Sequence, residues 1–313
     1  MLRSALLYLS NQQGIFNFVR HNGVAKSFAS RFVAGESVTT AIAAVRALNA
    51  KGITASLDLL GESTTNETEA YAAQHEYLEL LDLIEREKLN ANVSVKLTAM
   101  GMDISNALCI TVTREILERA KRYGNFVRLD MESSAYTQKT LDLFEQHFYG
   151  DFKANVGIVL QSYLYRTEAD VKRANDLGAR VRICKGAYKE PPEVAYPDKA
   201  DVDRNYVTAM HHLLEHGNYP GLATHDEVII AEAKRFATEK GIACDRFEFQ
   251  MLYGVRRDLQ EGLVRDGYRV RCYVPFGTQW YPYLMRRLAE RPANVAFMTG
   301  NVVKEWLGGR RSA

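Results

Sequence analysis

Near the C-terminal end of the chain, Tyr283, Arg286 and Arg287 stand at i, i+3 and i+4 of a stretch with helical periodicity. A phenol and at least one guanidinium therefore share a helix face. Two permanently charged planar forks beside an aromatic ring suit a small carboxylate that carries an apolar body. Arg256-Arg257 and Arg310-Arg311 are adjacent pairs too, so the pair alone is equally a solvated basic turn. What precedes it adds weight. Arg271-Cys272-Tyr273-Val274-Pro275-Phe276-Gly277 reads as a short buried strand stopped by Pro275 and Gly277. Thr278 then serves as a plausible N-cap, and Pro292 is the next strong stop.

Seven more polar residues interrupt apolar runs near their ends: Asp58, Lys96, Asp130, Gln161, Arg182, His225 and Gln250. An unpaired polar group in such a place costs a few kcal/mol, roughly, so each needs a partner or a ligand. Asp58 or Asp130 could pair with Lys96 or Arg182. Gly61, Gly101, Gly186, Gly254 and Gly277 follow within two residues of the same run ends, where glycine lets backbone turn sharply or approach a ligand. On a regular strand Arg182 and Cys184 share a face, so Lys185 can join Arg182 only from the following loop.

The elements that must position these residues alternate regularly. Strand-like runs cover Ile53–Leu60, Ala91–Ala99, Phe126–Met131, Val156–Ser162, Arg180–Cys184, Leu222–His225, Phe247–Leu252 and Val270–Phe276. Between them lie charged stretches of helical period, such as Glu67–Glu87, Thr111–Tyr123, Glu168–Leu177 and Glu227–Lys240. Eight strand–helix units point to a closed (βα)8 barrel of the TIM type, an α/β fold, rather than an open doubly wound sheet. No linker divides residues 1–313, so we expect one barrel domain with N-terminal helices over about residues 1–50. One of these runs from Thr39 to Ala50, capped by Ser37 or Thr39 and closed by Gly52. Catalytic groups in such barrels come from the C-terminal strand ends, where the polar residues stand.

Composition excludes several classes. With 47% hydrophobic and 25% charged residues and a formal charge of +2, the chain is an ordinary globular sequence and not a dedicated nucleic-acid binder. Cys109, Cys184, Cys244 and Cys272 are scattered and lack metal or redox spacing, as reduced cysteines of a cytosolic protein would be. No apolar run is long enough to span a membrane. From Met1 to Gly35 there are Arg3, Arg20, Lys26 and Arg31 but no acidic residue. A presequence would share that bias. However, Ile15, Phe16, Phe18 and Val19, then Val24, Phe28, Phe32 and Val33, have the spacing of packed helices. His212-Leu213-Leu214-Glu215-His216 matches an inverted zinc-protease pattern, yet it closes a helix leading into the sixth strand, the wrong end of a barrel for chemistry. No G-x-G-x-x-G, P-loop or G-x-S-x-G motif occurs.

Several of these segments together resemble the proline dehydrogenase family, most closely its compact monofunctional bacterial form. They are Leu57-Asp58-Leu59-Leu60-Gly61-Glu62, Ser94-Val95-Lys96-Leu97, Arg182-Ile183-Cys184-Lys185-Gly186-Ala187-Tyr188, Ala223-Thr224-His225 and Phe247 to Gly254. Tyr273-Val274-Pro275-Phe276-Gly277 followed by Tyr283-x-x-Arg286-Arg287 completes the set, in order from about Arg31 to Phe297. The resemblance implies a distorted (βα)8 barrel holding noncovalent FAD without a Rossmann fold, with the last barrel helix over the active site. It implies oxidation of L-proline to 1-pyrroline-5-carboxylate, with a hydride passing to flavin N5 and electrons continuing to a quinone through peripheral membrane contact.

The same resemblance assigns roles. Arg286 and Arg287 would hold the substrate carboxylate with help from Lys96. Tyr273 and Tyr283 would wall the ring, Leu252 would lie beneath it, and Tyr188 would close the pocket behind Arg182. Asp130 and Arg182 would stand at the reacting end of the flavin. Met131, Gln161, Lys185, Gly186, Ala187, Thr224 and His225 would also bind FAD. Lys96, Arg182, Arg286 and Arg287 would then surround the substrate with positive charge. The chain departs from the bifunctional relatives in having Asp226 where Asn is commoner, and a shorter connection from Gly277 to Tyr283. The alternative on the same barrel is a Schiff-base aldolase using Lys185 or Lys96. It accounts for the polar ring but not for arginines beside tyrosines.

Overall fold

In the computed structural model the described residues are 29–290, apart from the side chains of Arg286 and residues 288–290. Most of the expected N-terminal helices, and the stop at Pro292, lie outside them; Phe32 and Val33, expected at helical spacing, stand in a turn that follows residue 29. The chain alternates strand and helix, and each strand pairs in parallel with the next. The strands are β1 (Thr54–Leu59), β2 (Ala91–Val95), β3 (Val127–Leu129), β4 (Val156–Gln161), β5 (Arg180–Cys184), β6 (Gly221–Ala223), β7 (Glu248–Leu252) and β8 (Arg269–Phe276). β8 returns to β1 over Thr54↔Arg271 to Leu59↔Phe276, which closes the barrel.

Around it lie α1 (Val38–Asn49), α2 (Glu67–Arg86), α3 (Asn106–Arg122), α4 (Ser134–Leu143), α5 (Thr167–Leu177), α6 (Lys199–His216), α7 (Glu227–Glu239), α8 (Arg257–Arg265) and α9 (Trp280–Glu290). α4 continues through a π-helical stretch, Phe144–Tyr149, and a last turn, Gly150–Phe152. Caps explain several starts. Ser37 and Thr40 form a reciprocal capping box on α1, which decides between the two candidate caps. Ser105 caps α3, which begins at Asn106, five residues before the expected start at Thr111. α9 begins at Trp280, a little later than a cap at Thr278 would place it. Pro282 sits in its first turn, where no intrahelical N–H partner exists to lose.

Every strand sorts its residues by period two. Leu57, Val93, Val95, Val127, Leu129, Ile183, Leu222, Phe249, Val270 and Val274 are buried against the helices and form the main core. The alternate set faces the barrel interior and is largely polar: Ser56, Asp58, Asn92, Ser94, Arg128, Arg182, Glu248, Gln250 and Arg271. This differs from the usual filling of such barrels by branched apolar side chains. Three strands end at least two residues before the sequence implies, β6 among them, since it stops at Ala223 and leaves Thr224 and His225 beyond it. β2 ends at Val95 and β3 at Leu129, so Lys96, Asp130 and Met131 project from the first residues beyond the strands.

Residues 29–36 tie the last helix down. Ala34 N–H donates to the Pro275 carbonyl at 2.8 Å, and Gly277 N–H to the Gly35 carbonyl at 3.0 Å. Phe32 and Val33 pack with Trp280, Tyr281, Tyr283 and Leu284 in a second apolar cluster. Trp280 Nε1 donates to Glu36 at 2.8 Å. Gly254 permits this docking, since a β-carbon there would stand 1.5 Å from the Arg31 carbonyl oxygen, and its φ is +73°. We therefore expect Gly254→Ala to cost about 1–3 kcal/mol through left-handed strain and displacement of the 29–36 segment. Urea unfolding checks this, and a wild-type midpoint would contradict it.

Candidate active site

At the C-terminal ends of the strands a cavity of about 780 Å³ opens beneath α9. Lys96, Asp130, Met131, Gln161, Arg182, Lys185, Gly186, Ala187, Tyr188, Thr224, His225, Leu252, Tyr273, Tyr283 and Arg287 all line it. The structure thus brings together every site residue expected from sequence except Arg286, whose side chain is outside the described set.

Its floor is a hydrogen-bonded lattice centred on Arg182. Nη1 donates to Asp130 Oδ1 at 2.7 Å, Nε to Gln250 Oε1 at 2.5 Å, and Nη2 to Ser94 Oγ at 3.2 Å. The ring of Tyr273 lies 5.3 Å from the guanidinium carbon, and its hydroxyl donates to Asp130 Oδ2 at 2.7 Å. Burial, and then the charges of Asp130 and Asp58, push the Tyr273 phenol well above its usual range, so it remains a donor. A second pair stands beside the first: Lys96 Nζ donates to Asp58 Oδ1 at 2.8 Å, with both side chains nearly inaccessible. Burial alone would lower the Lys96 ammonium, but Asp58 and Asp130 outweigh it and hold the amine well above the ordinary lysine value. Asp58 itself is raised, chiefly by burial.

These pairings correct the expected ring of positive charge. Two of its four cations, Lys96 and Arg182, have carboxylate partners, so their charge is balanced within the site. Arg287 reaches the cavity with its guanidinium carbon 5.3 Å from the Tyr283 ring centre.

The other wall runs toward α6 and α7. Lys185 leaves the loop after β5, as strand parity requires, and pairs with Asp203 at 2.5 Å and Asp226 at 2.8 Å. Asp226 also caps α7, accepting from Val228 N–H at 3.2 Å, so its carboxylate has a use that an amide would serve less well. His225 Nε2 accepts the Leu252 N–H at 3.0 Å, which puts the proton of a neutral imidazole on Nδ1. Gly186 has φ +112°, and a β-carbon there would meet the Tyr163 ring within 2.5 Å. Gly186 and Ala187 line the cavity, and the missing β-carbon leaves room for the Tyr163 ring.

Residues that sequence reasoning did not single out also line the cavity: Phe32, Val159, Cys184, Lys199, Met251 and Val255. Val159 stands two residues before Gln161 on one strand face, a signal that was readable. Phe32 and Lys199 arrive from distant segments and carried none. Deeper in the barrel, Ser94 and Glu248 support Arg182 and Gln250, again at spacing two from Lys96 and Gln250. The thiols are not reactive candidates: burial pushes Cys184 up to about 11 and Cys109 and Cys272 to about 12. Cys244 is exposed. His212 and His216 lie in the last turns of α6, at the opposite end of the barrel from the cavity.

Residues 41–300 match the model of the family described as proline dehydrogenase. The chain is 44% identical over 308 residues to the proline dehydrogenase of Deinococcus radiodurans, covering 97% of this chain and 98% of that one. It is 41% identical over 305 residues to proline dehydrogenase 1 of Bacillus subtilis, covering 97% and 100%. Among solved structures, proline utilization A of Bdellovibrio bacteriovorus, inactivated by N-propargylglycine, superposes with a TM-score of 0.80 at 30% identity. The match covers 88% of this chain and 34% of that one, so this chain spans about a third of the larger protein.

The Lys96–Asp58 pair gives a direct test. Asp58→Asn leaves a buried ammonium short of its nearest counter-charge, and we expect a loss of about 3 kcal/mol, moderated by Asp130. Because the folded-state pKa of Lys96 is raised, its stabilisation is fully present below the unfolded value near 10.4 and is lost only above it. The difference between wild type and variant should therefore stay flat from pH 7 to 9 in urea titrations. A difference below about 1 kcal/mol, or one that decays in that window, would contradict the pairing.

Proposed function

The chain belongs to the proline dehydrogenase family and oxidises proline, and we infer that the reaction takes place in the cavity beneath α9 with noncovalent FAD as cofactor. The observation that carries this reading is the convergence of two buried ion pairs, three tyrosines and Arg287 on one cavity. A Schiff-base aldolase would need an uncharged lysine. Lys96 is instead held charged by Asp58 and Asp130, and Lys185 is engaged by Asp203 and Asp226.

The residues present fit a flavin. Gln161 Oε1 is buried at the cavity edge and has no hydrogen-bond partner among the described residues, so it is available to a ring N–H. Met131 and Gln161 would flank the ring system. Lys185 and the backbone of Gly186 and Ala187 suit the ribityl–pyrophosphate part, and Thr224 and His225 the portion beyond. When bound, FAD supplies the acceptor for the hydride that leaves the ring carbon beside nitrogen, giving 1-pyrroline-5-carboxylate.

The protein's own contribution is orientation and charge. Arg286 and Arg287 would take the proline carboxylate as a planar fork, with Lys96 beside them. Tyr273, Tyr283 and Leu252 would bound the ring, and Tyr188 would shut the pocket behind Arg182. Arg182, locked by Asp130, Gln250 and Ser94, would keep its positive charge fixed at the reacting end at no reorganisation cost. Both Asp130 oxygens are already accepting hydrogen bonds, so its part is to hold Arg182 and Tyr273 in place. Proline must lose its amine proton as well as the hydride, and the positive charge of the α9 arginines favours the neutral amine.

Electrons then leave for a quinone in this reading. No helix among the described residues is long and apolar enough to cross a membrane. Contact with a bilayer would be peripheral to a cytoplasmic protein, through the basic, acid-free segment between Met1 and Gly35.

Two measurements test the reading. The purified protein should be yellow, bleach on anaerobic addition of L-proline, and release all its flavin as FAD on acid precipitation. Flavin retained by the precipitated chain, or a protein that takes up no FAD, contradicts noncovalent binding. Arg287→Lys keeps the charge but loses the planar fork, so kcat/KM should fall about ten- to a hundredfold with flavin content unchanged. An unaltered kcat/KM would remove Arg287 from the carboxylate clamp.

A further inference from the structure

At the end of the barrel opposite the active site, the first residues of β2, β3, β5, β7 and β8 surround a second cavity, of about 380 Å³. Arg128, Arg180 and Arg271 line it, with Glu248 as the inner carboxylate. Glu85 and Lys88, also in the lining, pair with each other. Glu248 is fully committed. It accepts Arg271 Nε at 2.6 Å and Nη2 at 3.2 Å, Gln250 Nε2 at 2.6 Å and the Tyr219 hydroxyl at 3.2 Å. Arg271 is thus neutralised, and its Nη1 is spent on the Ala55 carbonyl and Asn92.

Arg128 and Arg180 have no such counter-charge. Arg128 is 4% exposed. Its Nη1 donates to the carbonyls of Ile158 and Arg180, at 2.9 and 2.7 Å, while its Nε is buried without a partner among the described residues. Arg180 lies across the faces of Phe126 and Tyr219, 5.3 Å from each ring centre, an arrangement that leaves its donor edge for another group. Neither arginine forms an ion pair among the described residues. The slot for Arg128 is built into the sequence: a β-carbon at Gly157 would stand 2.7 Å from Nη1. Burial, then the charge of Arg182, hold the Arg128 guanidinium well below the usual arginine range, with Glu248 and Asp130 opposing and Arg271 adding to the fall. A buried cation without a counter-ion is costly, and a cavity is open beside it.

We propose that this cavity is a binding site for a small oxyanion, a phosphate or carboxylate group, held by the guanidinium forks of Arg128 and Arg180. Planar forks of this kind match the geometry of two oxygens on one centre. The site lies at the far end of the barrel from the substrate cavity and does not rest on the reading of that cavity.

The test is thermal unfolding of the full flavin-loaded chain in chloride buffer at constant ionic strength, titrated with inorganic phosphate in one arm and malonate in another. A saturable rise in Tm of about 2 °C or more with either anion is expected, and the arm that responds tells phosphate from carboxylate. Arg180→Gln, at the half-exposed rim, should lose most of that rise. Arg128→Met should lose all of it while remaining at least as stable as wild type without anion, and if it fails to fold Arg180→Gln decides. General salting effects are not saturable and do not depend on one arginine. A flat Tm in both arms, or an equal rise in Arg180→Gln, overturns the proposal.

Discussion

A guanidinium buried inside a β-barrel must have its donors met, and the rest of this molecule is arranged around meeting those of Arg182. Its acceptors come from three other strands or strand ends: Asp130 after β3, Gln250 on β7 and Ser94 on β2. Each acceptor is itself held. Asp130 receives the Tyr273 hydroxyl from β8, Gln250 donates to Glu248, and Glu248 receives Arg271. Removing one member leaves a buried charge or hydrogen-bonding group without its partner, so the lattice is either complete or costly. The outcome is a fixed positive charge and a fixed phenol at the cavity floor, set before any ligand arrives.

The barrel can carry this polar interior because its stabilising burial lies elsewhere. The outward side chains of the strands and the inward stripes of the helices form the main core. Period-two alternation separates the two tasks along a single strand: Val270, Cys272 and Val274 pack outward while Arg271 and Tyr273 work inside. Helix α9 is stabilised independently. Residues 29–36 pair with the end of β8 and fill the space under Trp280 and Tyr283, so α9 is placed by a small cluster separate from the main core.

Charge balance differs between the two ends of the column. At the active-site end Lys96 and Arg182 each have an aspartate. At the other end one glutamate serves Arg271, and Arg128 and Arg180 have no ion-pair partner among the described residues. In our proposal it is this second end that is ready for an anion.

The sequence by itself determined the eight strand–helix units, the location of polar residues at strand ends, the glycines needed beside them and the Tyr283–Arg287 helix face. These are local properties: hydrophobic period, turn chemistry and caps act within a few residues and leave their mark in order along the chain. It also carried, unread, a second period-two row in Ser56, Ser94, Arg128, Glu248 and Arg271, because strands rich in valine and leucine read as apolar runs even when alternate positions are polar. Only the tertiary structure decided which partner each of these groups takes. Whether Asp58 would meet Lys96 or Arg182 depends on barrel closure and register, which bring residues 38 and 52 positions apart into hydrogen-bond distance. The same holds for Phe32 and Lys199, which reach the cavity from remote segments, and for Arg128, whose lack of a counter-charge is a fact about the space around it. Pairing in a closed parallel barrel is non-local, and a buried charge is satisfied or left wanting only once every strand is in place.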